Sequence, residues 1–340
     1  MTPLLLAMIL LPIAAAFRIR RAADPVLYGF GKADTMPLRG LLALVVMFGH
    51  LDTKTQFAVP VLHLVHWATP AVAVFFFLSG YGLVKSYSAA ESSGRIPGYW
   101  QAFWKRSLAR LMVPLLVVGT TWAVTRFFAL DIPLHVFFRR LPRFVLHPPF
   151  AWYVWAQLAF YAFFFLSFRC FGRRWRVPAA CALTLAYFLV MKYAVGTVVY
   201  YWITSPAFAV GVVFSTNEER VRAAVRKHPV GVYLFAAVAA ASFFAAREIG
   251  FWNIPVREAF HLLIGPSFAL IFYAFEWLRR VRPLAFVGAI SYEVYLLHGV
   301  VMKNLLPLGW PPAIAVAAVA LVTIGLSFVL NLACRGKRRT

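Results

Sequence analysis

Apolar residues in this chain do not alternate with polar ones; they run together in long blocks separated by charges or by Pro and Gly clusters. Eleven blocks stand out, at roughly 2–17, 36–51, 67–84, 108–129, 150–168, 177–195, 197–214, 229–246, 259–277, 284–302 and 311–333. Each is close to the roughly 20 residues a helix needs to cross a bilayer. The first covers only about 25 Å at the helical rise of 1.5 Å per residue, which raises the question of a signal peptide. A signal peptide carries its positive charge ahead of the apolar stretch. Here MTPLLLAMILLPIAAAF carries none, and Arg18, Arg20 and Arg21 come after it. The pattern predicts a retained first helix with its N-terminus outside. It also predicts an all-α, polytopic membrane protein: a single bundle of about eleven transmembrane helices, with ten and twelve as the neighbouring alternatives. No repeat of fixed period, low-complexity tract or Gly/Ser linker divides the chain.

Composition narrows the class further. The 340 residues are 62% hydrophobic and 13% charged, against roughly 25% charged in soluble proteins, and the mean hydropathy is +0.77. Eleven spans use about 220 residues, leaving about 120 for loops and ends and no room for a large soluble domain. A net charge of +23 would point to nucleic acid in a soluble chain, but here the basic residues sit at the ends of apolar blocks. Alternating sides from an outside N-terminus places 23 Lys and Arg on the cytoplasmic side and 9 on the other, as the positive-inside rule requires, so anionic lipid and not nucleic acid is the partner this charge implies. The outside loop 131–149 breaks the rule with Arg139, Arg140 and Arg143; it either meets something anionic or folds back onto the protein. Cys170, Cys181 and Cys334 stand far apart, with neither metal-site spacing nor a disulfide framework.

Ionisable groups within apolar spans cost at least about 2.5–3.5 kcal/mol on insertion scales and usually face the bundle interior, where they mark function. In LRGLLALVVMFGHLD, Arg39 and His50 are 11 residues apart, three helical turns plus about 20°, so both project from one face about 16 Å apart. Two accounts fit: one groove touches both, or Arg39 snorkels to the interface while His50 caps the outer end. AVFFFLSGYGL puts Ser79 and Tyr81 near a cytoplasmic helix end, where small residues allow close helix approach and a hydroxyl can bond a ligand. Arg106 and Arg110 stand at i and i+4, suited equally to phosphates and to lipid headgroups. Trp152, Tyr153 and Trp155 suit an interfacial aromatic belt, and Gln157 needs a partner if buried. In ISYEVYLLHGV, Ser291 and His298 face the same way, Glu293 either pairs with an interior arginine or stays protonated, and Tyr292 and Tyr295 suit packing with bonded hydroxyls.

Taken in order, these segments resemble the acyltransferase 3 family of integral membrane proteins, bacterial enzymes that acylate cell-envelope sugars. The resemblance rests on Arg39 and His50 with ten residues between them, Phe76 to Tyr81, Arg106, Arg110, Leu111 and Pro114, Trp152 with Phe160 and Tyr161, and Ile290 to His298. It implies O-acyl transfer from a cytoplasmic acyl-CoA, usually acetyl-CoA, to a hydroxyl of an envelope or exported carbohydrate, at the bacterial cytoplasmic membrane with the C-terminus inside. Acyl-CoA is then a co-substrate, with no resident cofactor and no metal. His50 matches the family's essential histidine and Arg39 its essential arginine, while Arg106 and Arg110 match the donor-holding basic motif, beside Ser79 and Tyr81. Trp152, Tyr153, Gln157, Tyr292, Glu293 and His298 remain for the acceptor or for supporting contacts. Residues 36–340 form the family domain, and 1–35 form an additional helix and basic loop. Where many members carry paired glutamates, this chain has Gln157 and Leu158, which removes a basis for acid–base chemistry there. No hydrolase-like domain follows at the C-terminus, so a second transfer step needs a partner enzyme.

Acyl transfer requires a base, oxyanion stabilisation and a positioned thioester. An imidazole works near neutral pH, which makes His50 the expected base. Asp52 lies roughly 200° away around its helix, leaving Glu293 or Tyr81 to orient His50. The rival class is a transporter or flippase, since intramembrane Arg, His and Glu also line substrate paths. Neither an inverted repeat nor a broken-helix pair is legible in its favour.

Overall fold

The computed structural model describes residues 3–21, 26–55, 67–130 and 133–336. The side chains of Lys54 and Arg335, residues 131–132 and the tail 337–340, all used above in assigning sides, lie outside the described residues. The described chain is helical, with no strand. It runs through α1 (Pro3–Arg21), α2 (Met36–Thr55), α3 (Ala68–Ser92), α4 (Ile96–Leu130), α5 (Leu134–Leu146), α6 (Trp152–Cys170) and α7 (Arg176–Leu189). After α7 come a π-helical turn at Val190–Ala194 and α8 (Pro206–Thr216), α9 (Glu218–Lys227), α10 (Pro229–Glu248), α11 (Ile254–Ala274), α12 (Arg282–Ala289), α13 (Ser291–Leu305) and α14 (Pro312–Gly336). All eleven apolar blocks fall on helical segments. Among the described residues seven helical stretches are long and apolar enough to cross a membrane, or eight if α12 and α13 form one bent span. The chain is a polytopic membrane protein, and a count of eleven crossings goes beyond those seven or eight. Apolar side chains such as Phe235, Leu321 and Val329 are exposed on the outside of the bundle, as lipid-facing residues are.

Helices pack where small residues let backbones touch. At the α3–α8 crossing a Cβ on Gly80 would strike the Phe208 carbonyl, and one on Gly211 would strike the Phe77 carbonyl. The α2–α12 crossing repeats the device, with Gly40 against the Leu284 carbonyl and Gly288 against that of Met36. These reciprocal pairs fix α2, which carries Arg39 and His50, and α3, which carries Ser79 and Tyr81.

Four departures from the sequence reading have physical causes. The block at 284–302 is not one helix: α12 and α13 meet at 74°, because Gly288 is seated on α2 while α13 packs along α14. A broken-helix element therefore exists where none was legible. The stretch 85–107, read as a basic loop, is a helical hairpin turning at Gly94 (φ 69°); Tyr87, Tyr99, Trp100 and Phe103 interlock with Phe164 and Phe168 of α6 and hold it helical. The basic segment 215–228 contains α9. The arginine-rich stretch Leu134–Leu146 is α5, with no residue buried; it lies back on α4 through the Val145 carbonyl at Gly119 and a Phe127–Phe137 ring contact at 4.8 Å.

Candidate active site

A cavity of about 460 Å³ opens among α2, α3, α4, α6, α13 and the connecting strap 26–35. Exposed cations, Lys32, Lys85 and Arg110, stand at its mouth, and buried Tyr81, Tyr153, Tyr161, Gln157 and Tyr295 line its inner part. Arg39 joins them from α2, half-buried. Its guanidinium forms no ion pair with a carboxylate among the described residues, and its Nε is buried without a hydrogen-bond partner. An interior cation left in that state is costly. Gln157 donates to Ser79 across α6 and α3, and its carbonyl Oε1 is buried without a donor. Tyr292 donates to the Leu111 carbonyl at 2.6 Å, tying α13 to α4.

Below the mouth lies a polar cluster centred on Glu218, which is 3% exposed. Lys85 Nζ approaches its Oε2 at 2.5 Å and Tyr81 donates to the same oxygen at 2.8 Å, while Tyr273 (2.9 Å) and Arg222 (3.0 Å) bond Oε1. Burial alone would raise this carboxyl's pKa, but the bonds from Lys85, Tyr81 and Tyr273 outweigh it and hold the group below its ordinary value. Arg222 also donates to the carbonyls of Leu27 and Tyr28. Asp34, paired with Arg279, accepts the Gly31 N–H at 2.9 Å. The strap that supplies Phe30, Gly31, Lys32 and Thr35 to the cavity is thus pinned at both ends.

His50 is not among the cavity's lining residues. Farther along α2 its ring stacks on Phe150 (centroids 4.2 Å) and on His298 (5.4 Å), and Phe150 stacks on His298 at 4.7 Å. Between cavity and histidines stands an aromatic layer in which Tyr153 and Tyr295 meet at 4.7 Å with Phe75 beside them. The cavity that Arg39 lines therefore does not extend to His50. His298 is fully buried; its Nδ1–H donates to the Tyr295 carbonyl at 2.6 Å, and its Nε2 has no hydrogen-bond partner.

The structure thus gathers Arg39, Ser79, Tyr81, Arg110, Tyr153, Gln157 and Tyr292 at one cavity and His50 with His298 beyond it. Others lie elsewhere. Arg106 turns back on its own helix, donating to the Ala102 and Tyr99 carbonyls, and does not join Arg110. Glu293 accepts from Asn331 of α14 at 2.8 Å rather than from an arginine. With Tyr81 given to Glu218 and Glu293 to Asn331, neither fills the place foreseen for it beside His50. Trp152 packs against Phe76, Tyr200 and Tyr201 outside the cavity. Sequence reasoning passed over Lys32, Lys85, Glu218, Asn331 and Phe150. A glutamate pair opening an otherwise basic segment was the one available signal, for Glu218.

A family model described as an acyltransferase domain, that of the acyltransferase 3 family, matches residues 38–332. No curated protein and no solved structure matches the chain. The chain belongs to the acyltransferase 3 family, and α1 precedes the matched region.

Proposed function

We propose that this family member is a membrane O-acyltransferase that takes an acyl group, acetyl in the simplest case, from acyl-CoA at its basic end and delivers it to a hydroxyl of an envelope or exported carbohydrate. The observation that carries the reading is Arg39: an interior guanidinium without a counter-carboxylate, facing a cavity that also presents Lys32, Lys85 and Arg110. An anion with several phosphate oxygens would satisfy Arg39 in a cavity of like charge, and guanidiniums bind such oxygens in bidentate fashion. Arg39 and His50 are about 16 Å apart along α2, too far for one guanidinium to bond an oxyanion formed at the imidazole. Arg39 accordingly holds the donor's anionic part, and the donor's extended arm passes the Tyr153–Tyr295 layer toward the histidines.

There His50 accepts the acceptor hydroxyl's proton as the oxygen–carbonyl bond forms. The tetrahedral oxyanion then collapses, the carbon–sulfur bond breaks, and the proton passes to the departing sulfur to give free CoA. No resident cofactor or metal is required. The basic end faces the cytoplasm of a bacterial inner membrane, where acyl-CoA is made. A second reading, transport without acylation, draws on the break between α12 and α13, since Ser291 at that break lines the cavity. Purified protein supplied with radiolabelled acetyl-CoA separates the two. CoA release that disappears in a folded His50→Ala variant supports transfer, whereas glycan counterflow without CoA release supports transport.

A further inference from the structure

We propose that the ring of Phe150 stands where the acceptor binds: the space this ring fills against the imidazoles of His50 and His298 is a subsite for one sugar ring, and Phe150 is its removable plug. The proposal deepens the acyl-transfer reading and rests on it.

Three independent observations converge on this residue. First, the Phe150 ring lies against both imidazoles, nearly parallel to each (19° and 7°), and so fills the place a reacting hydroxyl must reach. Second, the backbone of Phe150 has φ 65°, the left-handed region, in which no other non-glycine residue stands among those described. A side chain held there is under strain, and such strain collects at functional sites. What holds it is specific: Tyr295 donates its hydroxyl to the Phe150 carbonyl at 3.3 Å, and Gly299 leaves room for the ring, since a Cβ at that position would lie 2.5 Å from Phe150 Cδ2. Third, His298 is fully buried with Nε2 unpartnered, although its Nδ1–H bond to the Tyr295 carbonyl leaves Nε2 as a proton acceptor. A phenyl ring offers that nitrogen no donor.

A pyranose has about the width of a phenyl ring and an apolar C–H face that packs on flat aromatic surfaces, while its edge carries hydroxyl donors. Exchanging Phe150 for such a ring keeps the stacking, supplies a hydroxyl to His298 Nε2 and brings a neighbouring hydroxyl to His50. With the plug in place, water is excluded from the histidines and the donor is protected from hydrolysis. With an acceptor in place, the sugar oxygen–acyl bond forms, the thioester carbon–sulfur bond breaks, and the hydroxyl proton leaves through the imidazole to the CoA sulfur.

The full-length chain in detergent tests this through Phe150→Gly, which keeps the turn because glycine adopts φ 65° freely. Phe150→Leu serves as a second variant that retains apolar bulk but loses the flat face. Carbethoxylation of His50 and His298 by diethyl pyrocarbonate is followed by peptide mass spectrometry. Acetyl-CoA turnover is followed with water alone and with hydroxylamine as a small probe acceptor. The expected result is His298 modification faster on the order of tenfold in Phe150→Gly, together with release of acetate in water that the wild type lacks. Unchanged His298 modification in both variants overturns the proposal. So does faster modification without added hydrolysis when the wild type acetylates hydroxylamine. A wild type that never releases CoA while Phe150→Gly still exposes His298 counts instead against the acyl-transfer reading.

Discussion

Replacing Glu218 with alanine removes one acceptor from four donors at once: Lys85, Tyr81, Tyr273 and Arg222. Breaking a buried ion pair from one side costs about 3–5 kcal/mol because the remaining charge is left uncompensated. Here Arg222 is 14% exposed, but Lys85 is 45% exposed and recovers hydration, which places Glu218→Ala at the lower end, about 3 kcal/mol. For a chain of this size that corresponds to a fall of about 4 °C in unfolding temperature. Glu218→Gln keeps an oxygen for Tyr273 and Arg222 but turns an amide donor toward Lys85 and Tyr81, for about 2 kcal/mol. The pH dependence follows from the depressed carboxyl. Because the folded value lies below the unfolded one, this contribution is complete above the unfolded carboxylate range, near about pH 4.3, and is lost as pH falls through the folded value. Thermal unfolding of wild type and Glu218→Gln in detergent should differ by a constant amount from pH 8 to about 5, and the difference should shrink as pH falls below about 4.3. The same variants should raise the donor's KM, since Lys85, Tyr81 and the strap face the cavity. A Glu218→Ala cost below about 1 kcal/mol, or a gap that widens as pH falls below about 4.3, would refute the reasoning.

Three further outcomes can be measured. Arg110→Ala should raise the KM for acyl-CoA on the order of tenfold by removing a charge-assisted bond, whereas Arg106→Ala, whose guanidinium bonds its own helix's carbonyls, should change it less than about threefold; steady-state kinetics decide. Gly80→Ala and Gly40→Ala push a methyl into backbone carbonyls that cannot rotate away and should cost at least about 1–3 kcal/mol, while Gly82→Ala, with open space around its Cβ, should gain up to about 1 kcal/mol from helix propensity, all read from thermal unfolding. Asn331→Leu leaves the buried Glu293 carboxyl without its donor and should cost about 1–3 kcal/mol, a loss that Glu293→Leu in the same chain should partly restore.

What was legible in the sequence follows from which forces act locally. Apolar block length marks helices wherever lipid is the surrounding solvent, and the 11-residue interval places Arg39 and His50 on one side of α2 whatever the neighbours do. The separation of His50 from the cavity that Arg39 lines depends on Tyr153 of α6, Tyr295 of α13 and Phe75 of α3 meeting across the bundle, which no local pattern encodes. Arg106 and Arg110 look equivalent by spacing; only the bonds from Arg106 to the Tyr99 and Ala102 carbonyls, one to two turns back, distinguish them. Lys32 and Lys85 belong to stretches whose charge suffices to set topology, so nothing in their local sequence separates a cavity-facing lysine from a solvated one. The break at Ile290 is set by Gly288 resting on Met36, a contact some 250 residues apart in sequence.

The cavity and the histidine cluster make physical sense as one path because each holds a polar group the protein itself leaves unsatisfied. Arg39 Nε on the donor side and His298 Nε2 on the far side are both buried without partners, and a buried unsatisfied group costs about 1–3 kcal/mol. A fold under selection for stability alone would remove both, since an apolar replacement of similar shape is nearly neutral. Both are offset when an anion reaches the first and a hydroxyl donor reaches the second, the two chemical ends of an acyl transfer from a phosphorylated thioester to a sugar. On the proposed reading the aromatic layer between them is insulation: it would keep the donor's charged end from the imidazoles and admit only the slender, uncharged arm that carries the acyl carbon.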